Sequence, residues 1–179
     1  MKETRCLSRE SWGDFQKVFE TSSGCDGCWC LKHRRGFNDK STPIDDARIV
    51  MRDLIRKEEV SGVIAYMDHV PVGWLGFEPA SKLNGLWGES ESTDVWVIHC
   101  IFVDSEYRDG SIAKLLLAGA LFQLRSRKVK KVISLATRHE CQERLDSSVH
   151  TSVFFEKAGF RKESDINDSI SRMVLNLHA

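Results

Sequence analysis

The segment EYRDGSIAKLLL, residues 106–117, places a glycine and a serine immediately before a run of residues that favours a helix. A helix that begins there leaves its first backbone N–H groups without intrahelical acceptors, and its dipole adds about half a positive charge at the same end. Such a terminus binds a phosphate without any charged side chain. The alternative is an ordinary strand-to-helix turn in which Ser111 caps the helix. The spacing of these residues leaves both interpretations open.

A histidine interrupts the apolar run WVIHCIFV, residues 96–103, which is typical of a strand. Strand alternation predicts two faces, with Val95, Val97, His99, Ile101 and Val103 on one and Trp96, Ile98, Cys100 and Phe102 on the other. An imidazole, with an ordinary pKa of about 6.5, is suited to accept a proton near neutral pH. The alternative is a core or rim histidine that is hydrogen-bonded to a neighbouring loop. Asp94 and Glu91, just upstream, are the next candidates for a base.

Three cysteines and a histidine form the pattern C-x-x-C-x-C-x-x-H at Cys25, Cys28, Cys30 and His33. Four such ligands fit a tetrahedral zinc ion, although structural zinc sites usually join two separated pairs of ligands. Trp29, between two of the cysteines, favours a loop that packs on the core or lines a substrate site. We therefore expect no metal here, and keep zinc binding and redox chemistry as alternatives.

The elements that would position these residues follow from periodicity and capping signals. Helices are predicted at 8–21, from Thr42 and Pro43 onward, at 111–127 and at 148–158, the last ended by Gly159. Strands are predicted as an antiparallel pair within 62–79, then up to Asp104, at 132–137, and near 160–163 and 170–177. Gly119 lies on the apolar face of the long helix, where we expect close packing against the sheet. The order of elements predicts a mixed-sheet α/β or α+β fold in one domain, residues 1–179.

Composition limits the classes of protein that fit. The 179 residues include 26 Lys+Arg and 26 Asp+Glu, so the formal net charge is zero, which argues against a dedicated nucleic-acid binder or a polybasic membrane protein. A hydrophobic fraction of 41% is ordinary for a folded globular protein. Six cysteines are too few for a disulfide scaffold, and no stretch is typical of a signal peptide or a membrane span. We expect a cytoplasmic protein with unpaired thiols.

Two motifs resemble those of the GNAT superfamily of N-acetyltransferases. The phosphate loop of that family has Gln or Arg, two residues, Gly, one residue, then Gly or Ala. The segment from Arg108 to Ala113 resembles it, with Ser111 in place of the first glycine. The segment FFEKAGF, residues 154–160, is similar to the family's C-terminal helix-to-strand signature. The resemblance implies a mixed, mostly antiparallel central sheet flanked by helices.

The resemblance also implies an activity, the direct transfer of acetyl from acetyl-CoA to a primary amine. His99 would be the catalytic base, because members of the family often use an ionisable residue of this strand. The pantetheine arm would bond the backbone of Ile101, Phe102 and Val103. The pyrophosphate would lie on the backbone N–H groups of Arg108, Asp109, Gly110, Ser111, Ile112 and Ala113, with Lys114 near the CoA phosphates.

Two further positions depart from the family pattern. Ser148 stands where many members have an Asn that contacts the cofactor arm, and Phe155 stands where many have a Tyr that acts as general acid. Because Phe155 has no ionisable proton, protonation of the leaving thiolate must use water, another side chain or no dedicated acid.

The resemblance places the acceptor near Trp29 and Trp74, which we expect to shape the amine pocket. The expected partner is a small-molecule amine, with neither nucleic acid nor membrane, and a homodimer is left open. Two alternatives stay open. The first is a non-catalytic acyl-CoA-binding or sensor domain, and the second is a zinc or redox module built on the cysteine pattern.

Overall fold

A computed structural model describes residues 1–20, 29–37, 42–84, 94–137 and 150–177. Its helices are α1 (Trp12–Glu20), α2 (Ile44–Arg56), α3 (Ser111–Ser126) and α4 (Ser152–Glu156). Its strands are β1 (Lys2–Cys6), β2 (Gly62–Met67), β3 (Val70–Pro79), β4 (Val95–Val103), β5 (Lys131–Thr137), β6 (His150–Thr151), β7 (Arg161–Asp165) and β8 (Ile170–Asn176).

Within the described residues, eight strands form one sheet in the order β1-β2-β3-β4-β5-β8-β7, with β6 paired to β5. The β4–β5 and β5–β6 pairs are parallel, and the other pairs are antiparallel. This mixed, mostly antiparallel sheet with flanking helices confirms the predicted fold class.

The helices cover both faces of the sheet. On one face α3 buries Leu116, Ala120 and Leu124 against strand residues, and Phe155 of α4 joins the same apolar cluster. On the other face α1 and α2 contribute a second cluster that includes Phe15 and Met51. Burial on both sides explains why β3 and β4 read as nearly continuous apolar runs rather than as alternating ones.

Gly119 packs as the sequence predicted. A Cβ at this position would lie 2.7 Å from Oγ1 of Thr4 on β1, closer than packed atoms approach. Because Gly119 has no side chain, the helix backbone can lie close to β1 at this point, which confirms the expectation of close packing.

The face assignment predicted for β4 was wrong. In the pairing with β3, Gly76 lies opposite Cys100 while Phe77 lies opposite Ile98, so His99 is the extra residue of a β-bulge. The bulge reverses the alternation. Ile98, Ile101 and Val103 all pack on the α3 side, whereas Val95, Val97, Cys100 and Phe102 belong to clusters on the opposite face.

Two other differences concern which elements form and where they end. Strand β1 was not predicted, because its sequence KETRC has no apolar run. Helix α4 is much shorter than the predicted 148–158, and β6 precedes it. Gly159 ends the α4 turn with a φ of +91°, as predicted.

Candidate active site

The two central parallel strands separate where β4 carries its bulge. Pairing runs from Val95 opposite Lys131 to Ile98 opposite Ser134, and there the Ser134 hydroxyl donates to the Ile98 carbonyl at 3.0 Å. Beyond this point β5 pairs with β6 instead. We call the opening between residues 99–103 of β4 and residues 135–137 of β5 the notch. A bulge bends its strand, which is why the separation begins at His99.

Backbone groups of β4 face the notch at every second residue. The N–H of Asp104 donates to Val72 on β3 at 2.9 Å, so the polar groups of Val103, and two residues earlier those of Ile101, point the other way. Nε of Arg108 donates to the Val103 carbonyl at 2.9 Å. The His150 ring hydrogen-bonds the Ile101 backbone. Side chains from two other segments thus hold the end of β4 in the notch.

The N-terminus of α3 lies directly after the loop that follows β4. Gly110, with φ of +79°, is the N-cap, and Ser111 is the first helical residue rather than the cap. The Asp109 carboxylate accepts the Ser111 backbone N–H at 2.8 Å. Hydrogen bonds from Ser111, and then the charge of Lys2, hold the pKa of Asp109 below its usual range. The helix terminus therefore already attracts an anion, its own aspartate.

Lys2 is a site residue that sequence reasoning missed. Its Nζ donates to the Ser111 hydroxyl at 2.6 Å and lies 3.7 Å from the Asp109 carboxylate. Strand β1 brings this cation to the start of α3 from more than a hundred residues away. Only a correct prediction of β1 and its place in the sheet would have revealed it.

A groove of about 530 Å³ lies between α3 and α4. Its apolar lining includes Leu117, Leu121 and Phe154, and three basic side chains, Lys114, Arg125 and Lys157, also line it. An apolar groove bordered by cations, close to the free N–H groups of a helix, suits a long ligand that carries phosphates. The residues present therefore fit coenzyme A as the resemblance implies.

His99 lies at the bulge, on the face covered by α1 and α2. It is 6% exposed, and its ring packs over Gly76, where a Cβ would lie 2.9 Å from Cε1. Within the described residues neither ring nitrogen has a hydrogen-bond partner. Burial, and then the charges of His33 and Arg34, lower the pKa of His99 to about 3. The imidazole is neutral at physiological pH, and it is a weaker base than the sequence suggested.

Glu78 on β3 is a second residue that the sequence analysis missed. It follows Gly76 by two positions, so both face the side on which the His99 ring lies. It is 1% exposed and forms an ion pair with Arg34. Burial raises the pKa of Glu78 to about 6, although Arg34 and Lys82 oppose the rise. The sequence feature that indicates Glu78 is a carboxylate inside the apolar run VGWLGFEP.

The two tryptophans expected in the acceptor pocket belong to the core. Trp74 is fully buried and its Nε1 donates to Sγ of Cys30 at 3.2 Å. Trp29 stacks on Trp12 and Phe19, with ring centroids 5.9 and 5.6 Å apart. Both indoles are enclosed and hold the segment after residue 28 against the sheet. Their expected place at the amine pocket stays a prediction.

Phe155 is also enclosed, between Phe154 and Phe160 at centroid distances of 5.2 Å, and so has a packing role. Its expected contact with the cofactor stays a prediction. Ser148, Glu91, Cys25 and Cys28 lie outside the described residues. Among the residues that are described, no group of three or more His, Cys, Asp or Glu side chains is placed to hold a metal ion.

Comparison with known proteins agrees with this architecture. The model of the acetyltransferase (GNAT) family matches residues 28–160, and the chain belongs to that family of acyltransferases. No curated protein matches the chain significantly in sequence. In the described part of the chain, no helix is long and apolar enough to cross a membrane.

Solved structures show the same fold. The PaiA N-acetyltransferase of Thermoplasma acidophilum, in complex with coenzyme A, is 16% identical over 99% of each chain, with a TM-score of 0.60. The ribosomal-protein-alanine N-acetyltransferase of Brucella melitensis is 13% identical over 97% of this chain and 99% of its own, with a TM-score of 0.62. The putative acetyltransferase YncA of Salmonella typhimurium, with acetyl-CoA, is 10% identical over 99% of this chain and 94% of its own, with a TM-score of 0.61.

Proposed function

We propose that this chain, as one domain, transfers the acetyl group of acetyl-CoA to the primary amine of a small molecule by direct attack in a ternary complex. One observation carries the proposal. The notch opens beside the N-terminus of α3, so backbone groups for an amide-containing arm and for phosphates lie on consecutive segments, residues 101–113. Acetyl-CoA supplies the activated acetyl group, and the chain supplies binding, orientation and proton transfer.

The residues proposed to hold the donor follow from this placement. The backbone of Ile101 and Val103 would bond the arm on the edge that β3 does not pair, where His150 and Arg108 now bond the same two residues. The N–H groups of Ile112 and Ala113 would bond phosphate oxygens, because the first turn of α3 has no intrahelical acceptors for them. Lys2 and Lys114 would add positive charge beside them.

For the base we propose His99. The second candidate is Glu78, because its pKa lies closer to the working pH. Both side chains lie at the bulge, and Arg34 acts on the pKa of each. Base catalysis is most effective when the pKa lies near the working pH, which suits the carboxylate better. The two assignments predict different pH profiles of kcat/KM. Catalysis by Glu78 gives an inflection near pH 6 that Glu78→Gln removes, and catalysis by His99 gives none there.

The variant His99→Gln completes the comparison. If His99 is the base, this variant lowers kcat at least ten-fold, as loss of a general base typically does. Near wild-type kcat between about pH 6 and pH 9 would exclude His99 and leave Glu78, because the same proton then has another acceptor.

A small-molecule acceptor is supported by the zero formal net charge, which offers no overall field for an acidic or a basic macromolecule. The test is a thiol-release assay with acetyl-CoA and a panel of polyamines, aminoglycosides, amino acids and peptides. We expect turnover with a small amine and little with peptides. Thermal stabilisation by acetyl-CoA without turnover on any amine would favour a sensor domain, and absence of stabilisation would contradict both functions.

A further inference from the structure

A second histidine lies inside the notch. His150 begins β6 opposite Ala136 of β5, and its ring packs on Phe154 at a centroid distance of 4.7 Å. The ring also hydrogen-bonds the backbone of Ile101 on β4. This one side chain therefore spans the gap between the separated strands, at the backbone position where the donor arm is proposed to bind.

The His150 ring is not fully satisfied there. Within the described residues its Nε2 is buried and has no hydrogen-bond partner. Burial lowers the pKa of His150 to about 4; the bond to Ile101 opposes that shift, and the charge of Arg108 adds to it. A buried polar atom without a partner costs on the order of 1–3 kcal/mol, so its presence calls for a role.

We propose that His150 donates the proton to the thiolate that leaves when the acetyl group is transferred. The inference rests on the proposed function. It fills the role that Phe155 cannot perform, because a phenylalanine has no proton to give and its ring is enclosed in the core.

Competition for the Ile101 carbonyl explains how the His150 imidazole becomes available for proton donation. The arm is proposed to bond the Ile101 backbone, which His150 now occupies, so binding of the donor releases the ring from Ile101. Loss of the Ile101 bond by itself lowers the pKa of the ring, but the negative charge that develops on the sulfur beside it favours the imidazolium and raises that pKa. Among the described residues, Arg108 is the charged group that acts on the ring, and phosphates bound nearby would offset it.

The step balances. The amine nitrogen forms a bond to the acetyl carbon and loses a proton to the base. The carbon–sulfur bond then breaks, its electron pair stays on sulfur, and the imidazolium proton of His150 moves to that sulfur. Water restores the proton on the ring. Transfer from an imidazolium to a thiolate is downhill, because an ordinary thiol has a pKa of about 8.5.

The first test needs no acceptor. The thiol of bound CoA is titrated by its thiolate absorbance in the wild-type protein, in His150→Phe and in His150→Tyr. A donor beside sulfur stabilises the thiolate, so we expect the bound thiol to ionise about one pH unit lower in the wild type than in His150→Phe. The phenylalanine keeps a ring against Phe154, and the tyrosine restores a donor and much of the shift.

The second test is turnover with an amine from the panel. We expect His150→Phe to lower kcat at least ten-fold with an unchanged or lower KM for acetyl-CoA, because the competitor for Ile101 is gone. In His150→Phe, kcat should also no longer fall at high pH, because the acid whose deprotonation causes that fall is absent. His150→Tyr should recover part of kcat. If His150→Phe does not fold, His150→Gln takes its place, since glutamine can bond Ile101 but has no proton to release.

The outcomes separate this inference from the proposed function. If CoA binds the wild type and His150→Phe, and the bound thiol ionises at the same pH in both, the inference is overturned while donor binding stands. Equal kcat across the pH range would overturn it as well. If CoA binds neither protein, the proposed function itself has failed.

Discussion

Arg108 donates a hydrogen bond from Nε to the carbonyl oxygen of Val103, with 2.9 Å between the two atoms. Its guanidinium carbon also lies 5.9 Å from the centre of the Phe102 ring. One side chain therefore ties the loop before α3 to the last residues of β4. The distance between the proposed phosphate site and the proposed arm site depends on this link.

Arg108→Ala is expected to weaken CoA binding several-fold and to lower the free energy of unfolding by about 1–2 kcal/mol, since a hydrogen bond from a charged donor is lost. Isothermal titration and urea unfolding measure the two effects. Arg108→Lys is the matched control, because it keeps the charge but not the guanidinium Nε–H. It should recover part of the affinity and little of the stability. Wild-type affinity in Arg108→Ala would show that the link does not position the site.

Asp109→Asn is expected to strengthen CoA binding. The carboxylate now accepts the Ser111 N–H that a phosphate would use, and its negative charge repels phosphates. We expect a several-fold lower Kd by calorimetry, with the gain shrinking as salt is added. Lys2→Gln should change the Kd in the opposite direction, and Asp45→Asn on distant α2 should leave it unchanged. An unchanged or higher Kd for Asp109→Asn would mean that the aspartate does not compete with the ligand.

Glu78 should make the protein less stable as the pH rises. Its pKa is raised in the folded state from 4.5 to about 6, so folding favours the protonated form. The stabilising contribution is fully present below about pH 4.5 and is lost as the pH passes through 6, a difference of about 2 kcal/mol. Urea unfolding at several pH values should show this decline in the wild type relative to Glu78→Gln. Parallel pH dependences for the two proteins would refute the assignment.

Most of the fold was predictable from local signals, and much of the site was not. The hairpin of β2 and β3, the long α3 and the glycine after α4 each carry a pattern within a few residues. The β4 bulge carries none: it arises because Gly76 and Phe77 pair with residues on either side of His99. Strict alternation therefore put His99 on the wrong face relative to Ile101.

Long-range placement explains the other omissions. Lys2 enters the site because β1 pairs with β2 and α3 packs on β1 through Gly119. Glu78 has a raised pKa because its carboxylate is buried, and its ion-pair partner Arg34 is 44 positions away along the chain. Neither relation has a local pattern, since both depend on which elements become neighbours.

Gly119→Ala is expected to destabilise the protein, although alanine favours a helix more than glycine does. The new Cβ would lie 2.7 Å from Oγ1 of Thr4, and relieving such overpacking typically costs about 1–3 kcal/mol. Thermal and urea unfolding measure the loss. In a Thr4→Ala background the same change should cost less, because the Oγ1 atom is absent. An equal cost in both backgrounds would locate the effect elsewhere than at this contact.

Cys30 is expected to act as a packing residue rather than as a metal ligand. Its Sγ accepts the indole N–H of buried Trp74, so Cys30→Ala should leave that N–H unpaired and cost about 1–3 kcal/mol. Cys30→Ser keeps an acceptor and should cost less. Elemental analysis of the purified protein should find no stoichiometric zinc. One zinc per chain, lost in Cys30→Ser, would reverse this assignment.

The short ladder between β4 and β5 also has a mechanical meaning. Strand β4 runs from Val95 to Val103, but its pairing with β5 ends at Ile98. The two halves of the sheet are therefore joined between β4 and β5 by only four residue pairs. Fewer backbone pairs therefore resist a change in the width of the notch than resist distortion within either half of the sheet. The compliance of the proposed donor site is thus set by how many residues β4 and β5 share, a length that the bulge at His99 determines.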